Sequence, residues 1–255
     1  MTRRVAHLSD LHFGAEDPKV VASFAQELAD WAPDLIAISG DLTQGARHEE
    51  FIAAMAFLEG LPAPRLIVPG NHDMSPYNLM ERFTDPYRRW RRHVQEVTEP
   101  VFEDAEIAVV GMNTARRAGL YLNWARGRVS GTRLAAAEGR LAALPPGLFR
   151  IVVAHHPFLA PELKPGARLV GNAEPALAAF ARHDVRLVLT GHLHLGDVRP
   201  VREGGLVVAQ AGSATSHRLR GTPNAYNRIL VEDGRARVTP RQWHGEGWED
   251  LPPAK

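Results

Sequence analysis

The chain contains no cysteine among its 255 residues. That removes disulfides, thiolate metal ligands and thiol nucleophiles together, and leaves nitrogen and oxygen as its strong ligand atoms. It also lacks a surplus of charge: 30 basic residues face 29 acidic ones, a formal net charge of +1, so no global field recruits nucleic acid or an anionic membrane. No apolar run approaches the roughly 18 residues of a membrane-spanning helix. The first apolar run starts near Val5 and reaches an acidic residue by Asp10, so no cleavable leader is expected. A cytoplasmic protein with no integral membrane association is the expectation. The length suits one large domain, and no linker, internal repeat or low-complexity tract divides it. We expect one domain over 1–244 and a frayed tail over 245–255.

What the sequence does have is a set of five short apolar runs, each ending in residues able to ligate a metal. Val5 to Leu8 precedes Asp10 and His12, Leu35 to Ile38 precedes Gly40-Asp41, and Leu66 to Val68 precedes Gly70-Asn71-His72-Asp73. Ile151 to Ala154 precedes His155-His156-Pro157, and Leu187 to Leu189 precedes Gly191-His192-Leu193-His194. Runs this short, rich in β-branched residues and without polar alternation, read as strands buried on both faces of an α/β sheet. Ligands bind at the carboxyl ends of such strands, so the pattern predicts a polynuclear metal site along one rim of one sheet.

Helix signals separate the runs. Asp17 reads as an N-cap before Pro18, with Val20, Phe24, Leu28 and Trp31 at helical spacing and Pro33 as a stop. A second helix from about Glu49 to Leu58 stops near Gly60-Leu61-Pro62, and two successive βαβ crossovers imply parallel strands. Tyr87, Trp90 and Val94 suggest a short helix whose Arg88, Arg89, Arg91 and Arg92 read as a solvated face above an aromatic stripe. Arg116, Arg117, Tyr121, Trp124, Arg126 and Arg128 form an irregular basic loop before an amphipathic helix over 130–144. The late runs 206–210, 226–231 and 236–239 have no helical segment between them and suggest an antiparallel second sheet.

The residue types point to phosphoester chemistry. Two divalent ions held by imidazole and carboxylate need a bridging carboxylate, and Asp41 is the natural bridge because Gly40 permits close backbone approach. Asn71 can ligate through its amide oxygen without adding charge. Such a cluster stays cationic and attracts an anion such as phosphate. Two metals about 3.5 to 4 Å apart bring bound water towards pKa 7 and clamp both oxygens of an in-line displacement.

Asp10-x-His12, Gly40-Asp41, Gly70-Asn71-His72-Asp73, His155-x-Pro157 and Gly191-His192-x-His194 together resemble the motif set of the calcineurin-like metallophosphoesterases. The resemblance implies a four-layer α/β/β/α sandwich of two mixed sheets flanked by helices. It implies one metal held by Asp10, His12, Asp41 and His194, and a second by Asp41, Asn71, His155 and His192. His72 would assist the leaving oxygen, with Asp73 orienting its ring. Manganese, iron, zinc or cobalt, divalent or trivalent, would serve, and a homodimer fits the relatives. Purple acid phosphatases carry a tyrosine ligand soon after the Gly-Asp motif, whereas Leu42-Thr43-Gln44-Gly45 follows here, so a tyrosinate-bound ferric centre is not expected.

Leu-Ser-Asp-Leu-His at 8–12, His-His-Pro at 155–157 and Ala-Gly-Ser-Ala-Thr-Ser-His at 211–217 look most like bacterial class III cyclic-nucleotide phosphodiesterases and related glycerophosphodiesterases. A small phosphodiester such as a 3′,5′-cyclic nucleotide is the expected substrate, and no nucleic-acid polymer is. Alternatives are a lipid pyrophosphate hydrolase of the UDP-diacylglucosamine type, with an acyl groove along 77–94 or 116–128, and a non-catalytic scaffold on the same fold. His217, Arg218, Asn113 and Arg116 are candidate substrate contacts. His7 reads as a hydrogen-bonded core residue, and His156 either contacts substrate or packs under the proline turn.

Overall fold

The computed structural model describes residues 1–76, 78–117, 125–201 and 205–251. Strand β1 (Arg3–Leu8), helix α1 (Pro18–Trp31), β2 (Leu35–Ile38), α2 (His48–Glu59) and β3 (Arg65–Ile67) follow the expected crossovers, and β1, β2 and β3 pair in parallel. The α1 start is the predicted one: the Asp17 carboxylate accepts from the Lys19 and Val20 amides and Pro18 opens the helix. Its buried Val20, Phe24 and Leu28 recur every fourth residue and face the sheet. The chain turns out of α1 through Ala32, whose φ of 49° is left-handed, and Pro33 prevents continuation.

Two short helices, α3 (Leu79–Thr84) and α4 (Arg88–His93), lead to β4 (Val101–Glu103) and β5 (Ile107–Met112), followed by α5 (Gly131–Ala143), β6 (Phe149–Ala154), α6 (Ala173–Arg182) and β7 (Val185–Thr190). Ser130 caps α5 as its sequence suggests, accepting from the Arg133 amide. The chain ends with β8 (Asp197–Pro200), β9 (Val207–Gln210), β10 (Ala225–Glu232), β11 (Arg235–Trp243) and β12 (Trp248–Asp250). One sheet has the order β12-β11-β10-β1-β2-β3 and the other β4-β5-β6-β7-β9-β8, each mixing parallel and antiparallel pairs.

The alternation of side chains along each strand builds the layers. Val5, Leu35, Ala37 and Val68 of the first sheet meet Val109, Ile151, Val153 and Leu189 of the second in a buried cluster between the sheets. Ala6, Leu8, Ile36 and Ile38 point the other way, onto α1 and α2, while Val110, Val152 and Val188 pack beneath α5 and α6. This is the four-layer sandwich of two mixed sheets with flanking helices. Strands buried on both faces need the unbroken apolar runs seen in the sequence.

Three expectations change. The five ligand-bearing strands do not share one sheet: β1, β2 and β3 lie in the first, β6 and β7 in the second. The late strands form no separate antiparallel sheet, because β9 joins the second sheet parallel to β7, while β10 and β11 extend the first sheet antiparallel to β1. The segment 248–250 is not frayed. As β12 it pairs with β11, and Trp248, only 7% exposed, packs against Phe24, Tyr226 and Trp243. Burial of one large indole gives this short strand its anchor. Tyr121 and Trp124 of the basic loop, and 252–255 of the tail, lie outside the described residues. Among the described residues no helix is long and apolar enough to cross a membrane.

Candidate metal centre

Each ligand motif sits where a strand ends, and the two sheets bring those ends together. The amides of Asp10 and His12 donate to the carbonyls of Gly40 and Asp41, both at 3.0 Å, which lashes the loop after β1 to the loop after β2. Gly40 and Gly70 make the close approach possible: a Cβ on Gly40 would lie 2.7 Å from the Gly70 nitrogen, and one on Gly70 would lie 2.0 Å from Asp41 Oδ1. The 211–217 segment braces the first loop from the other side. Ser213 Oγ donates to the Asp10 carbonyl at 2.7 Å and Thr215 Oγ1 to the Leu11 carbonyl at 2.9 Å.

The side chains then converge. His194 Nε2 lies 3.1 Å from Asp10 Oδ1 and 3.2 Å from His12 Nε2. Asp41 Oδ2 stands between two imidazoles, 3.3 Å from His155 Nε2 and 3.8 Å from His12 Nε2. His155 Nε2 is also 3.2 Å from both Asn71 Oδ1 and His192 Nδ1. All seven predicted ligands therefore meet in one cluster, with Asp41 between its halves. Asp10, His12, Asp41 and His155 are buried essentially completely.

Backbone carbonyls fix the ring tautomers. A carbonyl only accepts, so His155 Nδ1 donates to Ser39, His194 Nδ1 to Arg218 and His72 Nδ1 to Gln44, at 2.8, 2.9 and 2.7 Å. In the neutral rings Nε2 is then a lone pair, and in His155 and His194 it faces carboxylate oxygen. Asp10 Oδ1 and His12 Nδ1 are also buried without hydrogen-bond partners. Lone pairs crowded against anions repel unless a cation lies among them, and such outer carbonyls are how proteins aim imidazole at a metal.

Electrostatics gives the same result. Burial alone would lower the His155 pKa, but the charge and hydrogen bond of Asp41 outweigh it and push it up to about 9. His194 is likewise raised by Asp10 against the opposing effect of burial. Burial would raise Asp10 and Asp41, yet the facing histidines hold both below the usual carboxylate range. Without metal the cluster thus recruits protons to supply the positive charge that its donor set requires. The nitrogen, carboxylate and amide donors suit borderline divalent ions.

Asp73 does not orient the His72 ring. It is buried, and its oxygens accept from the Thr43 amide and hydroxyl, both at 3.0 Å, and from the Gly70 amide at 2.9 Å. Burial and the Asp41 charge raise its pKa to about 6. Gln44 takes over the role assigned to it, through a backbone carbonyl that carries no side-chain signal. His72 itself is tied to the centre, its amide donating to Asp41 Oδ1 at 2.8 Å.

The remaining candidates separate. Arg218 lies at the edge of the cluster, with Nη1 on Gln44 Oε1 at 2.9 Å, whereas His217 is exposed and uses its backbone amide on Ala15. Asn113 is a brace, its Oδ1 accepting from the Tyr87 hydroxyl at 3.1 Å and the Ala115 amide at 3.0 Å. Arg116 lines a separate cavity. His156 packs: Nε2 donates to the Ala125 carbonyl at 3.1 Å and Nδ1 meets the Thr114 hydroxyl at 2.8 Å. His7 is a core residue bonded to Ser39 and Asn227, and burial pulls its pKa to about 3. Beside His192 opens a cavity of about 250 Å³ with Arg126, Lys164, Arg168, Leu169 and Leu193 in its wall.

Residues 3–196 match the calcineurin-like phosphoesterase family. The chain belongs to that family. It is accordingly a metal-dependent phosphoric ester hydrolase. It is 27% identical over 206 residues to a probable cyclic nucleotide phosphodiesterase of Synechococcus sp., covering 76% of this chain and 74% of that one. It is 28% identical over 199 residues to a probable glycerophosphodiester phosphodiesterase, GpdQ, of Arcobacter nitrofigilis, covering 78% of this chain but only 61% of the relative. The fold also matches the crystal structure of a dimetal phosphatase from Danio rerio, with a TM-score of 0.68 at 12% identity and 99% coverage of both chains.

Proposed function

We propose that this chain is a phosphodiesterase that hydrolyses a small diester, such as a 3′,5′-cyclic nucleotide, at a centre of two metal ions. The observation that carries the reading is the paired cluster of lone-pair donors with Asp41 between its halves. Asp10, His12, Asp41 and His194 would hold one ion, and Asp41, Asn71, His155 and His192 the other. Manganese, iron, zinc or cobalt suits these donors, and the pair supplies Lewis acidity and a water of lowered pKa when bound. His72 has Nδ1 fixed on Gln44, which leaves Nε2 to hold a proton for the departing oxygen. Asp73 keeps the Gly70 turn and Thr43 in register beneath it.

Diester preference follows from charge. A monoester carries more negative charge, and Arg218, at the edge of the cluster, is engaged by Gln44. The 250 Å³ cavity beside His192, mixed apolar and basic, suits one small substituent. The names of the two relatives agree with a diester. A cytoplasmic homodimer completes the proposal. The test is turnover of bis-p-nitrophenyl phosphate against p-nitrophenyl phosphate by protein loaded with a defined metal, and faster cleavage of the monoester overturns the preference.

A second reading, hydrolysis of a lipid pyrophosphate of the UDP-diacylglucosamine type, draws on α3, where Leu79, Met80 and Phe83 are 51%, 78% and 47% exposed. A panel of cyclic AMP, a glycerophosphodiester and a lipid pyrophosphate separates the two.

A further inference from the structure

The two arginine-rich segments take no part in the metal cluster, yet the fold brings them to one place. Arg91 from α4, Arg116 and Arg117 from the loop after β5, Arg128 from the approach to α5 and Arg133 from its first turn line a single cavity of about 530 Å³. Its one acidic lining residue, Asp85, is engaged by Arg91 at 2.5 Å. The other four arginines form no ion pair among the described residues. Arg133 Nη1 rests on the carbonyls of Asn113 and Ala115 at 2.5 and 3.0 Å, and Arg117 Nη1 on that of Phe83 at 3.2 Å.

Four arginines that line one cavity with no acidic partner of their own among the described residues, in a chain of formal net charge +1, give that cavity a local positive potential that favours an anion. Carbonyl bonds hold two of them in place, and a guanidinium fork matches phosphate oxygens in pairs. A relay of side-chain contacts links the wall of the cavity to the metal centre. Tyr87, in its wall, donates to Asn113 Oδ1 at 3.1 Å, and the next residue, Thr114, meets His156 at 2.8 Å. The His156 ring lies 4.8 Å from that of His155 and 4.7 Å from that of His192.

We infer that this cavity is a second oxyanion site, taking a phosphate group distinct from the one that is hydrolysed. That group is either a second phosphate carried by the substrate, an arm resting on the phosphodiesterase reading above, or a free phosphate or pyrophosphate. Thymidine 5′-(p-nitrophenyl phosphate) and its 3′-phosphorylated counterpart separate the arms, because both are diesters that release p-nitrophenolate and only one has a second phosphate.

With metal-loaded protein, the 3′-phosphate raises kcat/KM about tenfold or more, chiefly through KM, and Arg128→Ala and Arg128→Glu bring the ratio to one or below. Melting curves of both variants confirm folding. A ratio near one in the unaltered protein, with a second calorimetric binding event for pyrophosphate that Arg128→Glu abolishes, assigns the site to a free anion. A raised ratio that both variants leave intact overturns the site, as does a ratio near one with a single pyrophosphate event that they leave intact. If neither thymidine diester is cleaved, the phosphodiesterase reading fails, and the pyrophosphate titration still decides the cavity.

Discussion

Replacing Gly70 with alanine tests the idea that strand-end contacts set the geometry of the centre. The added Cβ would lie 2.0 Å from Asp41 Oδ1, 2.5 Å from the Asp41 backbone nitrogen and 2.7 Å from its Cγ. An ordinary contact of 3.4 Å requires the carboxylate oxygen to retreat about 1.4 Å and the backbone about 0.9 Å. Neither can move alone, because Asp41 Oδ1 holds the His72 amide at 2.8 Å and the Asp41 carbonyl holds the His12 amide at 3.0 Å. The overpacking costs about 1–3 kcal/mol, or a melting point roughly 2–10 °C lower for a chain of this size.

The larger effect falls on function. Disturbing a ligand's supports weakens metal binding roughly 10–100-fold, and misplacing a reacting group by ~1 Å costs on the order of 100-fold in rate. At saturating metal, Gly70→Ala should therefore lose about two orders of magnitude in kcat/KM on bis-p-nitrophenyl phosphate. Gly139→Ala is the control. Its Cβ meets nothing within 4 Å on helix α5, so it should stabilise the fold by about 0.5–1 kcal/mol and leave turnover unchanged. Metal content by mass spectrometry, steady-state rates and melting curves measure all three quantities. A Gly70→Ala protein with unaltered metal stoichiometry and rates within about threefold of the parent, less than 0.7 kcal/mol in activation energy, refutes the reasoning.

Three other outcomes are expected. His72→Ala should lower kcat by roughly 10²–10⁴-fold while both metals stay bound, and loss of a metal would instead make His72 a ligand. Loading metal at pH 7 should release protons, because His155 holds one up to about pH 9 in the metal-free protein and must surrender it to coordinate. Apparent metal affinity then rises with pH towards 9. In the metal-free protein, the stability from this raised pKa is complete below the ordinary value of 6.5 and lost as pH climbs through about 9. Calorimetry in two buffers of different ionisation enthalpy shows the protons, and a zero count is the contrary result. Trp248→Ala removes a buried ring from against Phe24 and Tyr226 and should cost about 3–5 kcal/mol, whereas an unchanged melting point would restore the frayed tail.

The strands behind the proposed ligands were legible because two-sided burial writes an unbroken apolar run, and the seven side chains that meet in the cluster because each follows such a run. Their division between two sheets was not. Val5 and Ile151 are both buried against the opposite sheet, and nothing in either run distinguishes β1 from β6. The supports of the rings were also hidden, since the carbonyls of Ser39, Gln44 and Arg218 belong to the backbone and would be present with any residue type. Asp73, next to His72 in sequence, invited a contact that the turn forbids by directing its carboxylate to Thr43 and Gly70. Trp248 stands in a short stretch of glycine and acid, too brief for any periodicity to mark β12.

The backbone of the centre connects folding to function most directly. Among the described residues ten other than glycine have positive φ, and five of them are the proposed ligands Asp10, His12, Asp41, His192 and His194, at 49° to 74°. Aspartate and histidine tolerate this region better than most residues, but each such position still costs on the order of 1–3 kcal/mol. The surrounding bonds hold the strain in place: Asp10 and His12 are tied to the loop after β2, and Ser213 grips the Asp10 carbonyl. This conformation turns lone pairs and carboxylates towards one another, which adds repulsion to strain. A cation that binds the folded arrangement and not the unfolded chain offsets both terms, so metal affinity and fold stability are two readings of one equilibrium.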